Sequence, residues 1–191
     1  MRSRLVLAAL FTLSTLPVFA QVAPAAKISG LPLGVGGGFS DYSIDYGPGR
    51  RMLGVSAWAN YDVFHGLGIA AEGTSIFADK PAVITAHFRE DTIKGGAIYR
   101  AHPFFGIRPY AEGFIGLGSI DFPSRNPFYT HDTFAMYSVG GGAEYKVWNT
   151  LYARVDYQYQ MWPNVFGPRT LDPNGFTIGA TYYMRGIHRH Y

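Results

Sequence analysis

Leu151-Tyr-Ala-Arg-Val-Asp-Tyr-Gln-Tyr-Gln-Met161 places an apolar residue at every second position. Leu151, Ala153, Val155, Tyr157, Tyr159 and Met161 share one face. Arg154, Asp156, Gln158 and Gln160 share the other. A period of two is that of a β-strand, whose successive side chains point to opposite sides. One face suits an apolar solvent. The other needs water or polar partners, because a buried charge or amide without them is costly. The 11 residues extend roughly 35 Å at about 3.3 Å per residue, and a tilt of about 45° reduces this to a height of roughly 25 Å.

Seven further segments repeat the pattern with varying strength. They are Leu33–Tyr46, Met52–Phe64, Gly66–Phe77, Ile84–Ala101, Ile107–Ile120, Phe134–Trp148 and Gly175–Met184. The first is glycine-rich and weakly patterned, and the first half of Ile84–Ala101 is polar on both faces. Met52–Phe64 sets Leu53, Val55, Ala57, Ala59 and Tyr61 against Ser56, Trp58, Asn60 and Asp62. The connections alternate in length. His65-Gly66, His102–Gly106 and Asn149-Thr150 are short, whereas Gly47–Arg51, Ala78–Val83, Asp121–Thr133 and Pro163–Asn174 are longer and more polar. Short turns at one end and long loops at the other are the habit of membrane barrels.

The N-terminus fits export. Met1-Arg-Ser-Arg4 is followed by an apolar run, Leu5–Leu16, and by Val18-Phe19-Ala20, which together read as a signal peptide cut after Ala20. Residues 21–30 read as a short tether, 31–184 as the barrel and 185–191 as a short basic tail. No later apolar run approaches the roughly 20 residues that a membrane helix requires. Absence of cysteine excludes disulfides, thiolate metal sites and a lipoprotein anchor. Without Arg2 and Arg4 the chain has 14 basic and 13 acidic residues, a net of +1, which leaves no basic patch for nucleic acid.

The faces set the solvent. The polar faces carry Asp62, Glu72, Lys94, Arg100, Arg108, Glu112, Glu144, Lys146, Arg154 and Asp156. In a barrel that faces lipid these belong in the lumen, since one arginine at mid-membrane costs about 2–4 kcal/mol. Five acids and five bases suit a narrow interior in which charges pair. Aromatics gather near strand ends as an expected girdle: Tyr61, Phe64, Tyr99, Tyr145, Trp148, Tyr159, Trp162, Phe176 and Tyr182. Parity makes a further demand. Glu144 and Lys146 share a face with Arg154 and Asp156 only across a turn with an odd number of residues. The spacing therefore predicts three or five, with Glu144 opposite or diagonal to Arg154.

Over Leu31–Met184 the chain resembles the OmpA-like family of outer-membrane barrels. Thr177-Ile-Gly179-Ala-Thr-Tyr182-Tyr-Met184 is similar to the assembly signal of such proteins, with polar Thr177, Gly179, aromatic Tyr182 and hydrophobic Met184. Met184 stands where phenylalanine is usual, and a tail follows. The resemblance implies an all-β, eight-stranded, antiparallel, up-and-down transmembrane barrel, integral to the bacterial outer membrane and monomeric. Its partners would be outer-membrane lipid and the barrel-assembly machinery during insertion.

No catalytic set assembles from the sequence. His87 and His131 fall near the outer end but lack a patterned serine. Gly34–Gly38 and Gly140–Gly142 precede no helix and are not phosphate cradles. His188 and His190 are too few for a metal site. The expectation is a non-enzymatic protein without cofactor or metal, with a structural or surface-interaction role exercised through its long loops. A narrow ion pore gated by lumenal ion pairs, and a soluble exported barrel holding an apolar ligand, are the alternatives.

Overall fold

The computed structural model describes residues 33–43, 51–78, 88–121, 131–165 and 170–184. The signal peptide, the tether, the tail, His87, His188, His190 and most of the long loops lie outside these residues. Eight strands close into one antiparallel barrel in sequence order. They are β1 (Leu33–Ser43), β2 (Arg51–Phe64), β3 (Leu67–Ala78), β4 (Phe88–Arg100), β5 (Ile107–Asp121), β6 (His131–Lys146), β7 (Leu151–Met161) and β8 (Asn174–Met184). Closure is made by β8 on β1, from Leu33 opposite Met184 to Ser43 opposite Asn174.

Alternation builds each strand, and the barrel wears its apolar side outward. Phe39, Ile93, Ile115 and Ile178 are 65–80% exposed, while Arg154, Asp156, Gln158 and Gln160 are buried. A barrel folded for water has the opposite arrangement. Both chain ends of the barrel lie with the short turns, because β1 begins and β8 finishes there.

Two of these turns are two-residue hairpins. His65 and Gly66 have φ of 44° and 84°, and Phe105 and Gly106 have φ of 50° and 79°. Two positive φ values in sequence match the twist of the flanking strands and favour Asn-Gly. Phe105 is a bulky residue in that conformation and is 87% exposed. Left-handed backbone costs an L-residue roughly 1–2 kcal/mol, so Phe105→Asn is expected to stabilise the detergent-folded barrel by about 1 kcal/mol. Its urea midpoint checks this.

The third turn obeys the parity demand. Lys146 pairs with Tyr152 and Glu144 with Arg154, so five residues, 147–151, lie between the two members of the last β6–β7 pair. Val147 and Trp148 both donate their amide N–H to the Leu151 carbonyl at 3.0 Å. That closure ends β6 at Lys146, short of the expected Trp148. β6 also starts earlier than expected, at His131 rather than Phe134, because His131 still pairs with Asp121.

Candidate functional site: a three-tier lumen

The inward faces fill the barrel in three tiers. At the short-turn end, Asp62, Arg100, Arg108 and Glu144 meet around Tyr183. Arg108 Nη2 is 2.7 Å from Glu144 Oε2, Arg100 Nε is 3.5 Å from the same oxygen, and Arg100 Nη1 pairs with Asp62. The Tyr183 hydroxyl donates to Glu144 at 2.8 Å. The Arg108 guanidinium lies over the rings of Tyr152 and Tyr183, 5.2 and 5.1 Å from their centroids.

The middle tier is built on β7. Arg154 Nε meets Asp156 Oδ2 at 2.7 Å, and Arg154 Nη2 meets Glu112 at 3.1 Å and Glu72 at 3.6 Å. Its guanidinium is sandwiched between Trp58 and Tyr110, 4.4 and 4.9 Å from the two centroids. Lys94 Nζ sits 3.0 Å from Glu72 and also donates to the Gln158 amide oxygen. The Gln158 amide nitrogen donates to Glu112 at 2.7 Å and to Glu72 at 3.1 Å. Tyr110 donates to Asp156 at 3.0 Å. On the facing wall a chain of hydroxyls runs Thr177–Ser40–Ser56–Thr74 at 2.9, 2.6 and 2.8 Å, and reaches Glu72 at 3.4 Å.

The third tier, towards the long loops, is apolar. Tyr42, Met52, Ile76, Ile120, Met136 and Trp162 pack there with Val165 and Leu171 from the β7–β8 connection. Trp162 and Leu171 exchange backbone hydrogen bonds at 2.8 and 3.0 Å, an antiparallel bridge just beyond the β7–β8 ladder. The Trp162 ring lies against Gly118 so closely that a Cβ there would stand 1.9 Å from it. Its indole N–H donates to Gln160 at 2.9 Å.

Of the ten charged residues assigned to the lumen, nine point inward: Asp62, Glu72, Lys94, Arg100, Arg108, Glu112, Glu144, Arg154 and Asp156. The tenth, Lys146, has the same strand parity as Glu144 and pairs with Tyr152, but as the last residue of β6 it is exposed. Lys146→Gln is therefore expected to change stability by less than about 0.5 kcal/mol, measured by urea unfolding beside the other lumenal variants. Glu144 and Arg154 stand opposite in register, yet their side chains take partners in different tiers.

The girdle needs one correction. Tyr61, Phe64, Tyr99, Tyr145, Trp148, Tyr159, Phe176 and Tyr182 face outward, but Trp162 is 0% exposed and belongs to the apolar tier. Met161 faces out, so the residue after it faces in. In the last strand Thr177 is buried, whereas Tyr182 and Met184 are exposed on the outer face. Gly179 leaves no room for a Cβ, which would fall 2.2 Å from the Gly37 carbonyl.

Sequence reasoning passed over Trp58, Tyr110, Gln158, Tyr183 and Glu90 as lumenal partners. Parity alone marks the first four. Glu90 lies in the half of β4 where Arg89 and Asp91 make the outer face polar too, so no contrast singles it out. The outer rim does hold Ser119, Asp121 and His131 together, with His131 Nδ1 2.6 Å from Asp121. The Ser119 hydroxyl is 3.1 and 3.4 Å from the two ring nitrogens. Among the described residues, no three or more His, Asp or Glu side chains group to hold a metal ion.

An up-and-down barrel of eight strands, apolar outside and ion-paired inside, defines a membrane-spanning β-barrel protein. Residues 6–183 match the outer membrane protein beta-barrel domain family, and the chain belongs to it. Solved structures share the fold at low identity. Neisserial surface protein A aligns at 17% identity and a TM-score of 0.65, covering 80% of this chain and 97% of that one. Ail, the attachment invasion locus protein of Yersinia pestis, solved with the heparin analogue sucrose octasulfate, aligns at 12% and 0.56, covering 78% and 96%. OprG of Pseudomonas aeruginosa aligns at 12% and 0.50, covering 78% and 94%. No curated protein matches the chain.

Proposed function

We propose that the chain is an integral outer-membrane barrel with a structural and surface-interaction role, closed to ions and without enzymatic activity. The observation that carries this reading is the filling of the lumen. An apolar tier beneath the long loops lies above two tiers of paired charge. Eight strands enclose just enough space for side chains to fill, and the described interior uses that space for side chains. The ion pairs serve as a packed plug. The outward apolar face speaks for lipid and against a water-soluble barrel with an apolar cavity. The long connections, including 121–133 and 163–174, present the protein to its surroundings; the names of Neisserial surface protein A and of the attachment protein Ail point in the same direction. The assembly machinery reads β8 through Thr177, Gly179, Tyr182 and Met184, and the barrel works as a monomer.

Planar-bilayer recording tests the closed lumen. The purified barrel is expected to be silent, and stepwise conductance would turn the reading into that of a narrow pore. The membrane face has its own test in bilayers with brominated acyl chains. Trp148, 73% exposed, is expected to be quenched and Trp162 to be protected. Quenching of Trp162 in a variant that lacks the other two tryptophans contradicts the assignment of faces.

A further inference from the structure

The described lumen does not balance its charges. Six carboxylates point inward (Asp62, Glu72, Glu90, Glu112, Glu144 and Asp156) against four cationic groups, Lys94, Arg100, Arg108 and Arg154. Five of the six make an ion pair with one of those cations. Glu90 does not. It is 1% exposed, and neither of its carboxylate oxygens has a hydrogen-bond partner among the described residues. It stands between Ile76 of β3 and Ile120 of β5, both of the apolar tier.

Its neighbours on the same face do not relieve it. Thr92, two residues along β4, has a buried hydroxyl oxygen that also lacks a partner. Lys94, the next inward residue, is held by Glu72 and Gln158. A carboxyl group among apolar side chains must either take a proton or meet an opposite charge, and the described protein supplies no opposite charge at this point.

We propose that Glu90 and Thr92 bind one small monovalent cation, an alkali ion or ammonium, as part of the folded interior. Three buried oxygens on one strand face are available to share it. A single positive charge cancels the single carboxylate. A hard divalent ion recruits more oxygen ligands and usually more carboxylates, and among the described residues no such group of acids surrounds Glu90. A proton would belong to one oxygen of the three, whereas a cation is shared by all. The proposal goes beyond the closed-lumen reading, and its failure leaves that reading intact.

Linkage provides the test. The detergent-folded barrel is unfolded in urea at fixed pH and fixed total ionic strength, with sodium, potassium or ammonium replacing choline. A cation bound only by the folded state raises the folding constant in proportion to its concentration above the dissociation constant, up to tenfold per tenfold rise. The wild-type barrel is expected to show this dependence for the small cations and not for choline. Glu90→Gln is expected to abolish it. Thr92→Val, which keeps the carboxylate, is expected to weaken the apparent affinity several-fold, and it remains informative if Glu90→Gln does not fold. A wild-type midpoint indifferent to the cation overturns the proposal, as does equal dependence in Glu90→Gln. A midpoint that moves with pH but not with cation assigns the missing charge to a proton and overturns it too.

Discussion

Arg154→Met is expected to cost about 3–5 kcal/mol, the loss typical of removing one partner from a buried charge cluster. The side chain serves Asp156, Glu112 and Glu72 at once, and it fills the slot between Trp58 and Tyr110. Methionine restores much of the volume but none of the charge. The penalty therefore comes from carboxylates left in the barrel without their cation. A second substitution tests that cause: Arg154→Met with Glu112→Gln is expected to recover part of the loss, since fewer charges are then stranded. Urea unfolding of the refolded barrel reads both, and a band shift on gels with and without boiling reports whether each variant folds. If Arg154→Met proves as mild as Lys146→Gln, the middle tier does not hold the barrel together.

Trp162→Ala is the other large effect, expected at about 3–5 kcal/mol, as for truncation of a fully buried aromatic. The ring is the largest side chain of the apolar tier and lies flat on Gly118. Its removal empties the space above β5 and leaves Gln160 without the indole donor. Gly118→Leu offers a partial rescue, because the new side chain enters the volume that the ring has left. In the presence of Trp162 the same Gly118→Leu is expected to be destabilising, since even a Cβ meets the ring. The sign of the Gly118 substitution thus depends on residue 162, and a double-mutant cycle measures it.

The fold was legible because its signal is periodic. Alternation along Leu151–Met161, together with the odd-residue requirement at the β6–β7 turn, located a strand and its two faces and put Glu144 opposite or diagonal to Arg154; the register makes it opposite. The partners of those charges were not legible. Backbone register brings Glu144 and Arg154 opposite each other, but each side chain is long enough to leave its row. Glu144 meets Arg108 and Tyr183, whereas Arg154 meets Glu112 and Asp156. Trp162 shows a different failure. Its residue type suggests a headgroup anchor, while its parity, one step past Met161, places it inside. Where type and period disagree, a closed barrel obeys period, since one step moves a side chain through the wall. Glu90 was hidden for a third reason: β4 carries Arg89 and Asp91 on the outer face at that height, and a strand with two polar faces declares neither.

The hydroxyl chain Thr177–Ser40–Ser56 crosses the seam where the last strand meets the first. The seam joins segments at opposite ends of the chain, so it is the most entropically demanding contact to form. Until it forms, β1 and β8 are raw sheet edges, and the hydroxyls of Ser40 and Thr177 face an open trough. The barrel therefore has no half-built version with its polar groups satisfied. β8 acts as a latch, and the protein is expected to lose structure as a unit, with backbone amides of all eight strands becoming open to hydrogen exchange together.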